Sequence, residues 1–141
     1  MGGKSTPPES WPRGHPEHWL IFARSDLALA KIRLPDGALY ESLCYHAHQA
    51  VEKSLKAVLV ARGISFPRTH HIRTLIELLP ADLPRPPILD DSAALSDYAV
   101  TSRYPTTVEP VGKEESEEAT RLADTIMVWA ERTVRTICAK E

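Results

Sequence analysis

No stretch of this chain alternates apolar and polar residues with period 2, and apolar residues instead recur at intervals of three and four along most of its length. That pattern confines the chain to helices. The prolines then say where each helix must stop, because a proline in a helix interior removes a hydrogen bond and clashes with the preceding turn. Leu20, Ala23, Leu27, Ala30 and Leu34 form a first stripe within 18–34, ended by the turn signature Pro35-Asp36-Gly37. The longest helical segment is 38–62. There Leu43, Ala47, Ala50, Val51, Ser54, Val58 and Ala61 share one face, and Gly63 supplies the stop. Residues 64–69 read as a loop with Thr69 as N-cap of a short helix over 70–79, stopped by Pro80. Four prolines make 80–88 a loop. A fourth helix is predicted over 90–103, with Leu95, Tyr98 and Ala99 inward. Pro105 and Pro110 bracket another loop. The last helix, 113–138, buries Leu122, Ile126, Trp129, Ala130, Val134 and Ile137; its glutamates 114, 115, 117 and 118 sit at the positive end of its dipole, and Arg132 and Arg135 towards the other. The fold class is all-α, an up-and-down bundle of four to five helices.

The 141 residues suit one domain. Residues 1–17, rich in proline and glycine, read as a flexible leader, and 18–141 as a single helical domain. The start, MGGKSTPPES, lacks the apolar core of a signal peptide, and no apolar run reaches membrane-spanning length. Cys44 and Cys138 stand far apart with no metal-ligand spacing, which suggests two free thiols and a cytoplasmic setting. The net charge is −2, against a broadly basic nucleic-acid binder, yet residues 31–73 carry +4 and residues 74–141 carry −6. A local anion site in the first half is therefore allowed.

Three polar groupings could carry chemistry. His46, Gln49, Lys53 and Lys56 recur at 3, 4 and 3 and share a face nearly opposite the apolar one. Two ammonium groups one turn apart repel, so this face is either solvated or bridged by an anion such as phosphate. Thr69-His70-His71 lies at a predicted helix start, where backbone N–H groups attract anions and a histidine is favoured as a neutral base. Ser102-Arg103-Tyr104-Pro105 ends the fourth predicted helix, and Arg103 there could fork onto a phosphate or neutralise the helix end. His46 and His48 diverge on a helix and His70 and His71 are adjacent, so neither pair has the spacing of a helical zinc site, and no metal or cofactor is expected. P-loop, dinucleotide and serine-hydrolase motifs are absent from the sequence.

These same segments carry a resemblance. Residues 45–57, Tyr-His-Ala-His-Gln-Ala-Val-Glu-Lys-Ser-Leu-Lys-Ala, resemble the QAxEKxLKA helix of HEPN-domain proteins; Phe66-Pro67-Arg68-Thr69-His70 resembles the family's fPxTH segment; and Asp97-Tyr98 through Arg103-Tyr104-Pro105 resembles its Y…RYP motif. The resemblance covers about residues 18–138. It implies a bundle similar to the C-terminal helical domain of kanamycin nucleotidyltransferase. It also implies a homodimer encoded beside a minimal nucleotidyltransferase, as for prokaryotic members of the family, many of whose pairs behave as toxin and antitoxin. The family's ribonuclease branch cuts RNA without metal through an arginine, four to six residues and a histidine. This chain departs there: the three required offsets from Arg103 hold Val108, Glu109 and Pro110, and the one match, Arg13 to His18, starts in the leader.

Three functions follow. The first is a nucleotide- or RNA-phosphate-binding partner of a nucleotidyltransferase, with His46, Gln49, Lys53, Lys56 and Tyr104 as binding residues. The second is a metal-independent ribonuclease with His70 as general base and Arg103 stabilising the phosphorane. The third is a non-catalytic dimerisation module, favoured if Trp19, Phe22 or Trp129 lies on the surface.

Overall fold

The computed structural model describes residues 14–101 and 109–140. Among these every regular element is helical: α1 (Pro16–Ala30), α2 (Tyr40–Ala61), α3 (Ile72–Glu77), a 3₁₀ segment (Pro87–Asp97), α4 (Tyr98–Thr101) and α5 (Lys113–Ala139). The bundle predicted from periodicity is present. α1 starts at Pro16, inside the segment read as leader, because His15 caps it: the His15 Nδ1 accepts the Glu17 N–H at 3.0 Å, and proline suits the first helical position. Residues 1–13 of that segment lie outside the described residues. α1 ends at Ala30, four residues before the predicted limit, and Leu34, which precedes Pro35, falls in the turn. Gly37 in that turn has φ +84°, and Gly63 after α2 has φ +70°, conformations that favour glycine.

α2 is the axis of the fold. It packs against α1, α3, the 3₁₀ segment, α4 and α5. The predicted apolar face is buried at Leu43, Ala47, Ala50, Val51, Ser54 and Val58, with Ala61 half-buried, but burial extends much further round the helix. Cys44, Leu55, Ala57 and Leu59 are wholly enclosed, and so are His48, Glu52 and Lys56 or nearly so. The polar face predicted to meet solvent or an anion is covered instead by α1 and by residues 64–71. Pairings between α1 and α2 run in reverse order, Asp26 with His46 and Lys53, Phe22 with Lys53, and Trp19 with Lys56, so the two helices are antiparallel. α5 returns antiparallel to α1, since Lys31 bridges Asp124 at 2.9 Å and Arg24 bridges Glu131 at 2.8 Å. α5 turns Ala119, Ala123, Ile126, Met127, Ala130 and Val134 to the core, with Leu122, Trp129 and Ile137 at its margin.

The region predicted as a fourth helix over 90–103 differs. It begins at Pro87 as a 3₁₀ segment and becomes α-helical only from Tyr98. Two side chains divert backbone partners here. Ser92 Oγ donates to the Leu89 carbonyl at 2.6 Å, and Ser96 Oγ accepts the Ile72 N–H at 2.9 Å, tying the segment to the start of α3. Leu89 and Leu95 still reach the core. The proline-rich loop before it is held from within: Arg85 donates to the Pro80 carbonyl and Trp129 Nε1 donates to the Pro84 carbonyl at 2.8 Å. Cys44 is buried and Cys138 exposed.

Leu55 is wholly enclosed on the central helix, whereas Leu39 is 62 % exposed. Leu55→Ala is expected to cost about 2–5 kcal/mol in urea unfolding, and Leu39→Ala less than about 0.5 kcal/mol.

Candidate functional site

Two buried carboxylates organise the polar face of α2. Glu52 is 3 % exposed. Its Oε2 accepts from Lys56 Nζ at 2.9 Å, one turn along the helix, and its Oε1 pairs with His70 Nδ1 at 2.9 Å from the loop before α3. One turn back, His48 Nε2 donates to the His70 carbonyl at 2.8 Å and lies 3.9 Å from the same Glu52 oxygen. His70 is thus gripped twice, by ring and by backbone. The Lys56 ammonium also lies 5.4 Å from the Trp19 ring centre and 5.5 Å from that of Phe66, and these rings meet edge to face. A charge taken from water needs such compensation, because an unpaired buried charge is costly.

The tautomers follow from the partners. An ionised carboxylate only accepts, so the His70 Nδ1 carries a proton toward Glu52. The Nε2 of His70 then holds the lone pair, and the ring is 57 % exposed. Such a ring is an oriented base when neutral and a phosphate donor when protonated. His48 faces a carbonyl and carries its proton on Nε2. Burial holds its pKa below the ordinary 6.5, against the hydrogen bond to His70 and the charge of Glu52, so the ring stays neutral with Nδ1 enclosed and unpartnered among the described residues.

The second centre is Asp26 of α1, 8 % exposed. It takes Lys53 Nζ at 2.6 Å on one oxygen and pairs with His46 Nδ1 at 3.0 Å on the other. Lys53 also stands 5.9 Å over the Phe22 ring. Lys53 and Lys56, which sequence left exposed to mutual repulsion or bridged by an external anion, each hold a protein carboxylate. Gln49 is half-buried, with its Oε1 enclosed and unpartnered among the described residues.

The structure therefore brings His70 and Lys56 together through Glu52, and His46 and Lys53 through Asp26. Thr69-His70-His71 leads into the start of α3, but His71 rather than Thr69 is the N-cap. Thr69 Oγ1 accepts the His71 N–H at 3.0 Å, and the helix begins only at Ile72, whose N–H is taken by Ser96. What residues 68–73 present is a set of exposed basic side chains: Arg68, His70, His71 and Arg73 all face solvent, with Arg73 near Asp90 at 3.4 Å. Arg103 and Tyr104 lie outside the described residues. Tyr98, just before them, donates its hydroxyl to Glu115 Oε2, and its pKa rises through burial and that bond. Burial pushes the neighbouring Cys44 thiol up to about 11, which leaves it inert as a nucleophile. Among the described residues no three His, Cys, Asp or Glu side chains gather to hold a metal. No helix among them is long and apolar enough to cross a membrane. Of the three aromatics that would mark a docking module, Phe22 is exposed, while Trp19 and Trp129 are half-buried.

Sequence reasoning missed Glu52, Asp26 and His48. A signal existed for two of them: His48, Glu52 and Lys56 recur every fourth residue, the spacing of a ladder of helical side-chain pairs. Asp26 gave none, because its partners lie on another helix.

The fold is an all-helical bundle in which a buried carboxylate holds a loop histidine. The HEPN domain profile matches residues 16–133, and the chain belongs to the HEPN domain family. Among solved structures it is similar to TT1696 from Thermus thermophilus, with 34 % identity, a TM-score of 0.74, and 84 % of this chain and 97 % of that one covered. It is also similar to ST0689, an archaeal HEPN homologue, with 27 % identity, a TM-score of 0.64, and 85 % and 98 % covered. No curated protein matches it.

Glu52→Ala strands the buried Lys56 ammonium and is expected to cost about 3–5 kcal/mol in urea unfolding, with much of it regained in Glu52→Ala/Lys56→Met. His48 sets a pH dependence. Below its ordinary pKa the unfolded chain binds a proton that the folded ring refuses, so its contribution is complete above about pH 6.5 and is lost as pH falls through the lower folded value. Between about pH 7.5 and 5.5 the wild-type urea midpoint should drop more than that of His48→Gln.

Proposed function

We propose that this HEPN domain binds the phosphate of a nucleotide or an RNA strand at His70, beside the middle of α2, as a cytoplasmic homodimer acting with a nucleotidyltransferase partner in a toxin–antitoxin-type module. The observation that carries the reading is the double hold on His70. Two enclosed polar residues of the central helix fix the position of an exposed ring on a loop that also carries Arg68, His71 and Arg73. A surface histidine with no task needs no such support, since each buried polar group must recover its lost hydration. Lys53 and Lys56, each neutralised by its own carboxylate, stand behind this edge, and Gln49 and His46 lie along the same face. Arg103 and Tyr104 are assigned to the ligand on sequence. The partner, the module and the dimer rest on the family resemblance.

The His70–Glu52 pair also favours a second reading, a metal-independent ribonuclease. With Nδ1 held by a carboxylate, Nε2 is oriented to take the proton of a ribose 2′-hydroxyl. The 2′-oxygen then attacks the adjacent phosphorus, the 5′-oxygen leaves, and a 2′,3′-cyclic phosphate results. Arg103 would stabilise the charge on the phosphorane.

Light scattering of the purified protein with ATP and with a short RNA, followed by gel analysis of the RNA in EDTA, tests both. A dimer that retains ligand beside intact RNA supports the binding reading, and His70→Ala should weaken retention about tenfold or more. Cleavage that persists in EDTA and falls about 10²–10⁴-fold in His70→Ala or Arg103→Ala supports the ribonuclease. A dimer with neither ligand nor cleavage overturns both and leaves a docking module.

A further inference from the structure

A concave site lies at the start of α2. A cavity of about 560 Å³ opens between the end of α1, the turn that follows it, and the first turns of α2 and α5. Its volume is that of a small-molecule site. The lining is divided by chemistry. Leu43 is buried at the base, and Leu34 and the Tyr40 ring extend the apolar wall. Lys31, Arg33, Lys113 and Arg121 stand at the edge, and the one carboxylate among the lining residues is Glu117.

Three of these cations have carboxylate neighbours: Lys31 with Asp124 at 2.9 Å, Arg121 with Glu118 at 2.6 Å, and Lys113 with Glu117 at 3.9 Å. All three pairs are exposed on both sides, so an incoming anion displaces them at little cost. Arg33 makes no ion pair among the described residues. The four cations and the three carboxylates that pair with them leave one net positive charge at the edge, beside the apolar wall. A bare inorganic ion would use only the edge, and a neutral apolar molecule only the wall.

We propose that this cavity binds a small organic phosphate ester, with the phosphate between Arg33 and Arg121 and the apolar body against Leu34, Leu43 and Tyr40. A phosphate can draw on Arg33, unpaired among the described residues, and on Arg121 once the exposed pair with Glu118 opens, and planar guanidinium groups fork onto its oxygens. The site is independent of the His70 site. Tyr40 and Glu52 are separated by about 18 Å along α2 at 1.5 Å per residue.

Titration calorimetry with phenyl phosphate, inorganic phosphate, phenol and benzoate tests the assignment. Phenyl phosphate should bind once per chain, and each of the other three about tenfold or more weakly. Arg33→Glu/Arg121→Glu, at two exposed positions, should weaken phenyl phosphate about tenfold or more with an unchanged thermal melt. Arg132→Glu/Arg135→Glu, the same charge change at the far end of α5, and His70→Ala should leave it unaltered. No binding of phenyl phosphate overturns the proposal. So does equal weakening by the two double variants, which reduces the effect to net charge. Loss in His70→Ala moves the phosphate to the other site, and benzoate binding as tightly as phenyl phosphate removes the preference for phosphate.

Discussion

The carboxylate of Glu52 lies where a bundle of this size would ordinarily place a leucine. It is 3 % exposed, on the central helix, and joins parts of the chain that apolar packing alone would leave loosely related. Lys56 reaches it along α2, and Trp19 of α1 and Phe66 of the following loop close over the lysine. His70 meets its other oxygen. Apolar contacts are non-directional and fix a helix in its groove only approximately. A carboxylate with named donors fixes which residue of the loop stands at which height on the helix. The orientation of His70, and with it the candidate site, depends on that constraint.

The second centre works in the same way with less burial. Asp26 accepts Lys53 and engages His46 across the α1–α2 interface, so two charged positions that would repel on an isolated helix become the attachment of its neighbour. Both carboxylates lie toward the middle of α2. Residues 68–73 bring exposed basic side chains beside that middle part, and the apolar cavity rimmed by lysines and arginines sits at the start of the helix. A HEPN bundle arranged in this way has its rigid polar chemistry inside and its anion-attracting surfaces at separate places outside.

The helices were legible because their signal is local. Stripes such as Leu20, Ala23, Leu27 and Ala30 recur at helical spacing and were buried as read. Proline and glycine marked most stops. The reading weakened where side chains compete for the backbone: Ser92 and Ser96 take partners that a regular α-helix would use, and the predicted helix over 90–103 became a 3₁₀ segment leading into α4. Thr69 likewise closed a turn rather than capping α3.

Residue spacing along α2 determined by itself that His46, Gln49, Lys53 and Lys56 share a side of one helix, since a helix fixes the angle between positions whatever surrounds it. The motifs in their order likewise identified the family. Only the tertiary structure decided what that side faces. α2 is enclosed by neighbours on most of its circumference, so a stripe that looked like a solvent face is an interface, and the anions that neutralise its lysines are Asp26, twenty-odd residues earlier in the chain, and Glu52, on the same helix. Periodicity records which residues lie on the same side; it carries no information about which element covers them, because that contact is made by chain distant in sequence.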